Sequence, residues 1–151
     1  MTLAQETEMT AEEIDEFLGR NETGVLSLAN DSEPYAIPIS YGYGVERRSF
    51  YVRLVSNPDS EKRAFLDSTP SARLVVYDSS QDESTYWSVV ATGTLEEIDP
   101  TSISVEEIQQ YGQAKRPLFE IWGDEKANLD IQLYRLSPDA LEGRRTDIER
   151  E

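Results

Sequence analysis

The chain has 151 residues with 30 Asp and Glu against 14 Lys and Arg, a net charge of −16 and an apolar share of 38%. A chain of this length buries roughly 68–70% of its unfolded surface as one domain, so its lean apolar content still makes a core. With no Cys and no His, disulfide frameworks and the usual zinc, haem and catalytic-dyad chemistries are excluded and only carboxylate-bound metals remain. The charge disfavours nucleic acid and anionic membranes as partners, because both are bound by neutralising phosphates with Lys and Arg.

Residues 1–9 read as a flexible N-terminus with neither a basic nor an apolar leader region, and no window approaches the ~18 apolar residues of a membrane span, so the chain reads as cytoplasmic. Thr10 and Glu13 make a capping box ahead of Ile14, Phe17 and Leu18, which predicts a short amphipathic helix from about Ala11 to Arg20. GVLSLAN sets Val25 and Ser27 against Leu26 and Leu28 as a first strand, and Asn30-Asp31 turns it. In the second strand Tyr35, Ile37, Ile39 and Tyr41 alternate with Ala36, Pro38, Ser40 and Gly42. A proline there belongs to an edge or a bulge, where its missing N–H is harmless.

The third strand points Phe50, Val52 and Leu54 one way and Tyr51 and Arg53 the other. Asn57, Pro58, Asp59 and Ser60 are alternative starts for a helix carrying Lys62, Ala64, Phe65 and Leu66, whose leading N–H groups have no intrahelical partner. Ala72 to Tyr77, Trp87 to Leu95 and Leu129 to Leu136 complete a set of six strands, with Ser104 and Glu107 capping a short helix between the last two. Gly93 marks a bulge or a close backbone approach. Six strands with short helices between them and no βαβ rhythm predict a mainly β fold with peripheral helices, a small antiparallel barrel over residues 10–138, followed by a polar tail over 139–151.

Arg47, Arg48, Arg53, Lys62 and Arg63 cluster in this acidic chain against only Asp59 and Glu61. One cation 4 Å from a phosphate contributes about 4 kcal/mol at an effective dielectric near 20, whereas distant surface charge is screened beyond ~8 Å, so local geometry outweighs net charge. Two readings fit the spacing: an anion cradle built on a strand Arg, a helix-start Lys and helix N–H groups, or a solvated face whose cations pair with neighbouring carboxylates.

GVLSLA, PYAIPISYGYG, SFYVR, the Lys62 segment, WSVVATGTL and LYRLSPDALEGR, in that order from about Ile14 to Arg145, resemble the FMN-binding split-barrel family that includes pyridoxamine-phosphate oxidases. The resemblance implies a split β-barrel and an FMN cofactor whose ring lies along Ile37 to Tyr41, with Pro38, Ile39, Ser40 and Tyr41 as ring contacts. It implies further that Arg53 and Lys62 hold the phosphate, that Tyr51 and Ser60 neighbour the ribityl phosphate, and that a second subunit closes the pocket, making the protein a homodimer. The activity implied is that of an FMN-dependent oxidoreductase acting on an unidentified small molecule. The alternative is a flavin-binding or interaction protein without turnover.

Two departures narrow this expectation. Pyridoxamine-phosphate oxidases grip their substrate with an Arg-x-His near the C-terminus, and the tail LEGRRTDIERE has no His; the His used near the cofactor by some nitroimidazole-resistance relatives is also missing. Trp87 and Trp122 are candidates for a core, a flavin stack or a subunit interface. Gly143-Arg144-Arg145 either closes over an anion or pairs with Glu142 and Asp147. The evenly spread acidity with only three lysines, Lys62, Lys115 and Lys126, resembles cytosolic proteins of salt-accumulating archaea, an ordinary acidic protein being the other reading.

Overall fold

The computed structural model describes residues 2–30, 32–56, 71–99, 101, 104–105, 107 and 130–150. The expected helix α1 (Ala11–Arg20) forms with the reciprocal capping box. The Thr10 hydroxyl accepts from the Glu13 N–H at 3.2 Å, and a Glu13 carboxylate oxygen accepts from the Thr10 N–H at 2.9 Å. Ile14, Phe17 and Leu18 form its buried face, and the Asn21 side-chain amide donates to the Phe17 carbonyl at 2.9 Å where the helix stops.

The strands are β1 (Thr2–Glu8), β2 (Thr23–Asn30), β3 (Glu33–Ser40), β4 (Gly42–Gly44), β5 (Ser49–Ser56), β6 (Ser71–Ser79), β7 (Thr85–Ile98) and β8 (Asp130–Arg150). Seven of them follow one another in the order β3-β2-β6-β7-β8-β5-β4, and β1 pairs alongside the far half of β8. Every pairing is antiparallel. β3 and β4 lie at opposite ends of this order, yet only Tyr41 separates them in the chain. The sheet must therefore curl until its two ends meet, which is the geometry of a split barrel.

Period-two alternation fills the interior. Leu26, Leu28, Ile39, Phe50, Val52, Leu54, Leu74, Val76, Val89, Ala91, Leu95 and Leu136 are all buried on the concave side, and α1 closes one end with Phe17 and Leu18. Tyr41 and Tyr43 pack on Phe50 with ring centroids 5.4 and 5.0 Å away. The Tyr41 hydroxyl reaches the Leu18 carbonyl at 2.9 Å, which ties the corner of the barrel to the helix.

The sequence predicts six strands, and the structure corrects that number in two places. The run from Pro34 to Gly44 divides at Tyr41, whose N–H still bonds the Glu22 carbonyl (2.9 Å) in line with the β2–β3 register, whereas Gly42 beyond it pairs with Tyr51 of β5, giving β3 and β4. Residues 2–8, read as flexible, and the tail after Asp139 pair with each other as β1 and the end of β8. There Arg144 binds Glu8 at 2.9 Å and Glu6 at 3.3 Å, and Arg145 binds Asp147 at 3.2 Å. These arginines thus take the carboxylate-pairing alternative. Gly143 is buried beneath Met9 and Ile14, where a Cβ would lie 2.8 Å from the Met9 sulfur.

Gly93 is a close backbone approach facing a bulge, in which Asp139 of β8 is the residue left without a partner. The β7–β8 register shifts between Thr92 and Gly93, and a Cβ on Gly93 would collide with the Ser137 carbonyl oxygen. The Ser104 and Glu107 capping pair also forms, with the Glu107 N–H donating to the Ser104 hydroxyl at 3.1 Å.

Candidate functional site

Where β3 gives way to β4, the corner residue Tyr41 leads into Gly42, which pairs with Tyr51 of β5. The expected ring-contact strand and the expected phosphate strand are therefore neighbours at one end of the barrel. Because the Tyr41 N–H bonds across to Glu22, the alternation of an antiparallel ladder turns the main-chain groups of Ile39 and Ile37 toward β2. Those of Ser40, Pro38 and Ala36 then point away from β2, toward the outer edge of β3. Pro38 thus has its ring nitrogen on the outer edge of a terminal strand, the position in which a missing N–H costs nothing. Its side chain is exposed, whereas those of Ile39 and Tyr41 are committed to the core at 1% and 2% exposure, and Ser40 is buried. The side chains of Ile39 and Tyr41 are thus taken up by the core, while the Ile39 main-chain groups and the Tyr41 N–H face β2.

On β5, Tyr51 and Arg53 point away from the barrel interior as expected. Tyr51 is nonetheless only 3% exposed, sharing the lining of a cavity with Ser104 and Glu107, and Arg53 is half-buried. A cavity of about 230 Å³ opens here, lined by Tyr43, Tyr51, Arg47, Ser104 and Glu107 together with the β4–β5 turn. That is below the ~300–1,000 Å³ of complete small-molecule pockets. Ser60, Lys62, Arg63 and the expected helix start lie outside the described residues, as does Trp122.

Of the clustered cations, Arg48 belongs to a structural contact. Its Nη2 binds Asp15 Oδ2 at 2.9 Å and the Ala11 carbonyl at 3.2 Å, and the Tyr43 hydroxyl donates to the other oxygen of Asp15 at 2.7 Å. Arg48 also sits at a φ of 50°, a left-handed conformation that closes the β4–β5 turn. Burial, then the bond to Asp15, pushes the Tyr43 phenol well above its ordinary pKa, and burial with the nearby charge of Glu22 does the same to Tyr41. Trp87 packs on Phe17 (centroids 6.2 Å apart) with the Arg20 guanidinium 4.8 Å over its ring, so it is a lid on the barrel end.

Sequence reading missed Arg135. Arg135 pairs with Tyr51 across β5 and β8 and shares its outward face. Its guanidinium makes long contacts to Glu96 (3.4 Å) and Glu107 (3.6 Å), while its Nε is buried with no hydrogen-bond partner among the described residues. A buried donor without an acceptor costs about 1–3 kcal/mol, so Arg135 marks a place on this face that suits an acceptor-rich group. The signal available in the sequence was its alternation with Tyr134 and Leu136; its apposition to Tyr51 depends on a pairing between residues far apart in the chain.

Residues 10–145 match the sequence profile of the pyridoxamine 5'-phosphate oxidase family. No curated protein is similar enough in sequence to be matched. Among solved structures, the chain is similar to a FAD-binding protein from Mesorhizobium loti, with 22% identity, 95% of this chain and 98% of that chain covered, and a TM-score of 0.65. It is similar also to the FAD-binding protein from Mycobacterium smegmatis (17% identity, 93% and 98% covered, TM-score 0.64). A heme-binding protein from the same organism shares the fold at 14% identity and a TM-score of 0.58, with 89% of this chain and 54% of that one covered. At these identities the likeness is one of fold.

Proposed function

The chain belongs to the pyridoxamine 5'-phosphate oxidase family, and from that premise we propose that it is an FMN-binding flavoprotein that works in the cytoplasm as an oxidoreductase on a small molecule. The observation that carries this reading is the apposition of Tyr51, Arg53 and Arg135 on one outward face beside the Pro38–Tyr41 corner. Arginines suit a phosphate, the outward main-chain groups of Ala36 and Ser40 suit the polar edge of a ring system, and the exposed Pro38 suits its flat apolar surface. The buried Nε of Arg135, without a hydrogen-bond partner among the described residues, is the kind of donor that a phosphate or carbonyl oxygen would satisfy. Lys62 and Ser60 would add to this set. Flavin, when bound, supplies the electron and hydride chemistry itself, which is why a chain without Cys or His can still be an enzyme. The two most common haem ligands are missing from the sequence for the same reason, which favours flavin over haem.

The chain's own part is to bind and orient. Arg53 fixes the anionic end, the β3 edge holds the ring edge, and the buried face beside Ser104 and Glu107 keeps water away. With no His in the tail, a substrate other than pyridoxamine phosphate is expected. The test is the visible spectrum of the purified protein, followed by calorimetry with FMN and riboflavin. FMN should bind the more tightly, and equal affinities would remove the phosphate contact. Bleaching of bound flavin by NADH or NADPH, with reoxidation by candidate acceptors, separates an oxidoreductase from a flavin carrier.

A further inference from the structure

The β4–β5 turn sets two opposite charges side by side and pairs neither. Residues 45–48 form a β-turn closed by the Arg48 N–H on the Val45 carbonyl (3.3 Å), and its two central residues are Glu46 and Arg47. Arg48 and the Tyr43 hydroxyl, both bound to Asp15, fix this turn to α1, and the Ser49 hydroxyl donates to the Arg47 carbonyl at 3.1 Å. Neither the Glu46 nor the Arg47 side chain has an ion pair or hydrogen bond among the described residues, although both line the cavity of about 230 Å³ together with Tyr43, Tyr51, Ser104 and Glu107. Glu107 is already engaged, by Arg135 at 3.6 Å and by the Ser104 hydroxyl and N–H, each at 3.3 Å. With 30 acidic side chains against 14 basic ones, Arg47 is not left alone by any shortage of carboxylates.

We propose that this cavity binds a small zwitterion of the α-amino acid class, with its carboxylate on Arg47 and its ammonium on Glu46. Charge selects this ligand. A phosphate would meet Arg47 but also the carboxylates of Glu46 and Glu107, and a simple cation would meet Glu46 but also Arg47, whereas a molecule carrying both signs answers both. Its net neutrality also spares it the repulsion that a chain of −16 exerts on an anion. Spacing agrees, since neighbouring Cα atoms lie about 3.8 Å apart and an α-amino acid carries its two charges on groups joined through one carbon. The cavity has room for about eight non-hydrogen atoms at the ~30 Å³ that a water takes in the liquid, which is the size of valine. Because the turn is already held to α1, the two charges lose little freedom on binding. Gly42, next to the Tyr41 corner, pairs with Tyr51, so the cavity lies beside the proposed flavin edge. As a substrate site it rests on the flavin reading; as a binding site it does not.

Titration of the isotope-labelled full chain with L-valine, read from the backbone amide shifts of residues 44–48, tests the proposal. Isovalerate, which lacks the ammonium, and isobutylamine, which lacks the carboxylate, are titrated alongside. Valine should shift these amides saturably and bind about fivefold more tightly than either analogue, the upper range for one exposed ion pair. Arg47→Gln should weaken valine by about the same factor without weakening isobutylamine, and Glu46→Gln should weaken valine without weakening isovalerate. Both positions are exposed, and far-UV circular dichroism checks that the variants fold; if either does not, the comparison of the three ligands on the wild type still decides. Arg73→Gln, at an exposed position on β6, should leave valine binding unchanged. The absence of a saturable shift, an analogue that binds the wild type as tightly as valine, or a folded Arg47→Gln chain that binds valine as the wild type does overturns the assignment. Flavin absorbance read on the same samples keeps the two ideas apart: a yellow protein whose turn amides ignore valine sinks the zwitterion site alone, and a colourless protein that binds valine sinks the flavin alone.

Discussion

Tyr43 in β4 donates its hydroxyl to Asp15 in α1 at 2.7 Å, and the other oxygen of that carboxylate is held by Arg48 at 2.9 Å. This contact fastens the β4–β5 turn, one wall of the candidate cavity, to the helix that plugs the barrel. Hydrogen bonds to a charged group contribute about 1.5–3 kcal/mol when shielded, and Asp15 is partly exposed. Tyr43→Phe should therefore lower unfolding stability by about 1–2 kcal/mol in a urea titration. A loss within error would show that the ring's packing on Phe50, not the hydroxyl, holds the turn.

The same two phenols set an alkaline limit. Tyr41 and Tyr43 have folded-state pKa values raised above that of a free phenol, by burial first. The fold therefore favours their neutral forms. The stability linked to them is complete below the ordinary tyrosine pKa of about 10 and is lost as pH climbs from there toward the folded values. Tyrosinate absorbance should show at least two of the 8 tyrosines titrating only with unfolding, and Tyr43→Phe should remove one of them. Eight phenols ionising together at the ordinary pKa, with the circular dichroism unchanged, would contradict this.

Local chemistry made much of the fold legible. Thr10 and Glu13 defined α1 because a capping box is a contact between near neighbours, and Pro38 marked an edge because its missing N–H is a property of one residue. Pairing between distant segments was not legible. Residues 2–8 and 144–150 are polar, and nothing in their alternation reveals that their main chains meet; Arg144 finds Glu6 and Glu8 only after they do. The corner at Tyr41 was hidden for a different reason, since its side chain continues the apolar alternation of β3 while the next residue, Gly42, already pairs with β5. For the site, Arg53 and Tyr51 followed from parity along one strand, whereas Arg135 required knowing that β8 lies beside β5.

Gly93 offers a sharp test of the bulge. A Cβ at this position meets backbone on the adjacent strand, the Ser137 carbonyl and the Pro138 Cα at 3.0 Å, with no flexible side-chain end to yield. Gly93→Ala should destabilise by about 1–3 kcal/mol or more, the range for forced overpacking. The measurement is a denaturant midpoint at unchanged slope. An unaffected midpoint would place the β7–β8 register elsewhere.

Arg53→Ala and Lys62→Ala should each weaken FMN by about 1.5–3 kcal/mol, the scale of a charge-assisted hydrogen bond, while riboflavin affinity changes little. Arg135→Ala should also weaken FMN if its buried Nε meets the ligand. Titration calorimetry with both ligands separates loss of a phosphate contact from general damage to the pocket. If Arg53→Ala and Lys62→Ala both bind FMN as wild type does, the cations form only a solvated face.

Salt should raise stability steeply. With 30 carboxylates and only 14 basic side chains, most acidic groups cannot pair. Arg144 already sits between Glu6 and Glu8, and Arg135 between Glu96 and Glu107. The remaining carboxylates repel one another over about 10 Å at 0.1 M salt but only about 3 Å at 1 M, so screening removes a cost that the folded chain bears more than the expanded one. The thermal midpoint should therefore climb from dilute buffer to molar KCl, and it should climb further than hydrophobic strengthening alone would carry a chain of balanced charge. A variant with several exposed glutamates such as Glu12, Glu16 and Glu46 changed to Gln should melt higher in dilute buffer and respond less to KCl. A flat or falling midpoint in the wild type would mean that the acidic surface is not an adaptation to salt.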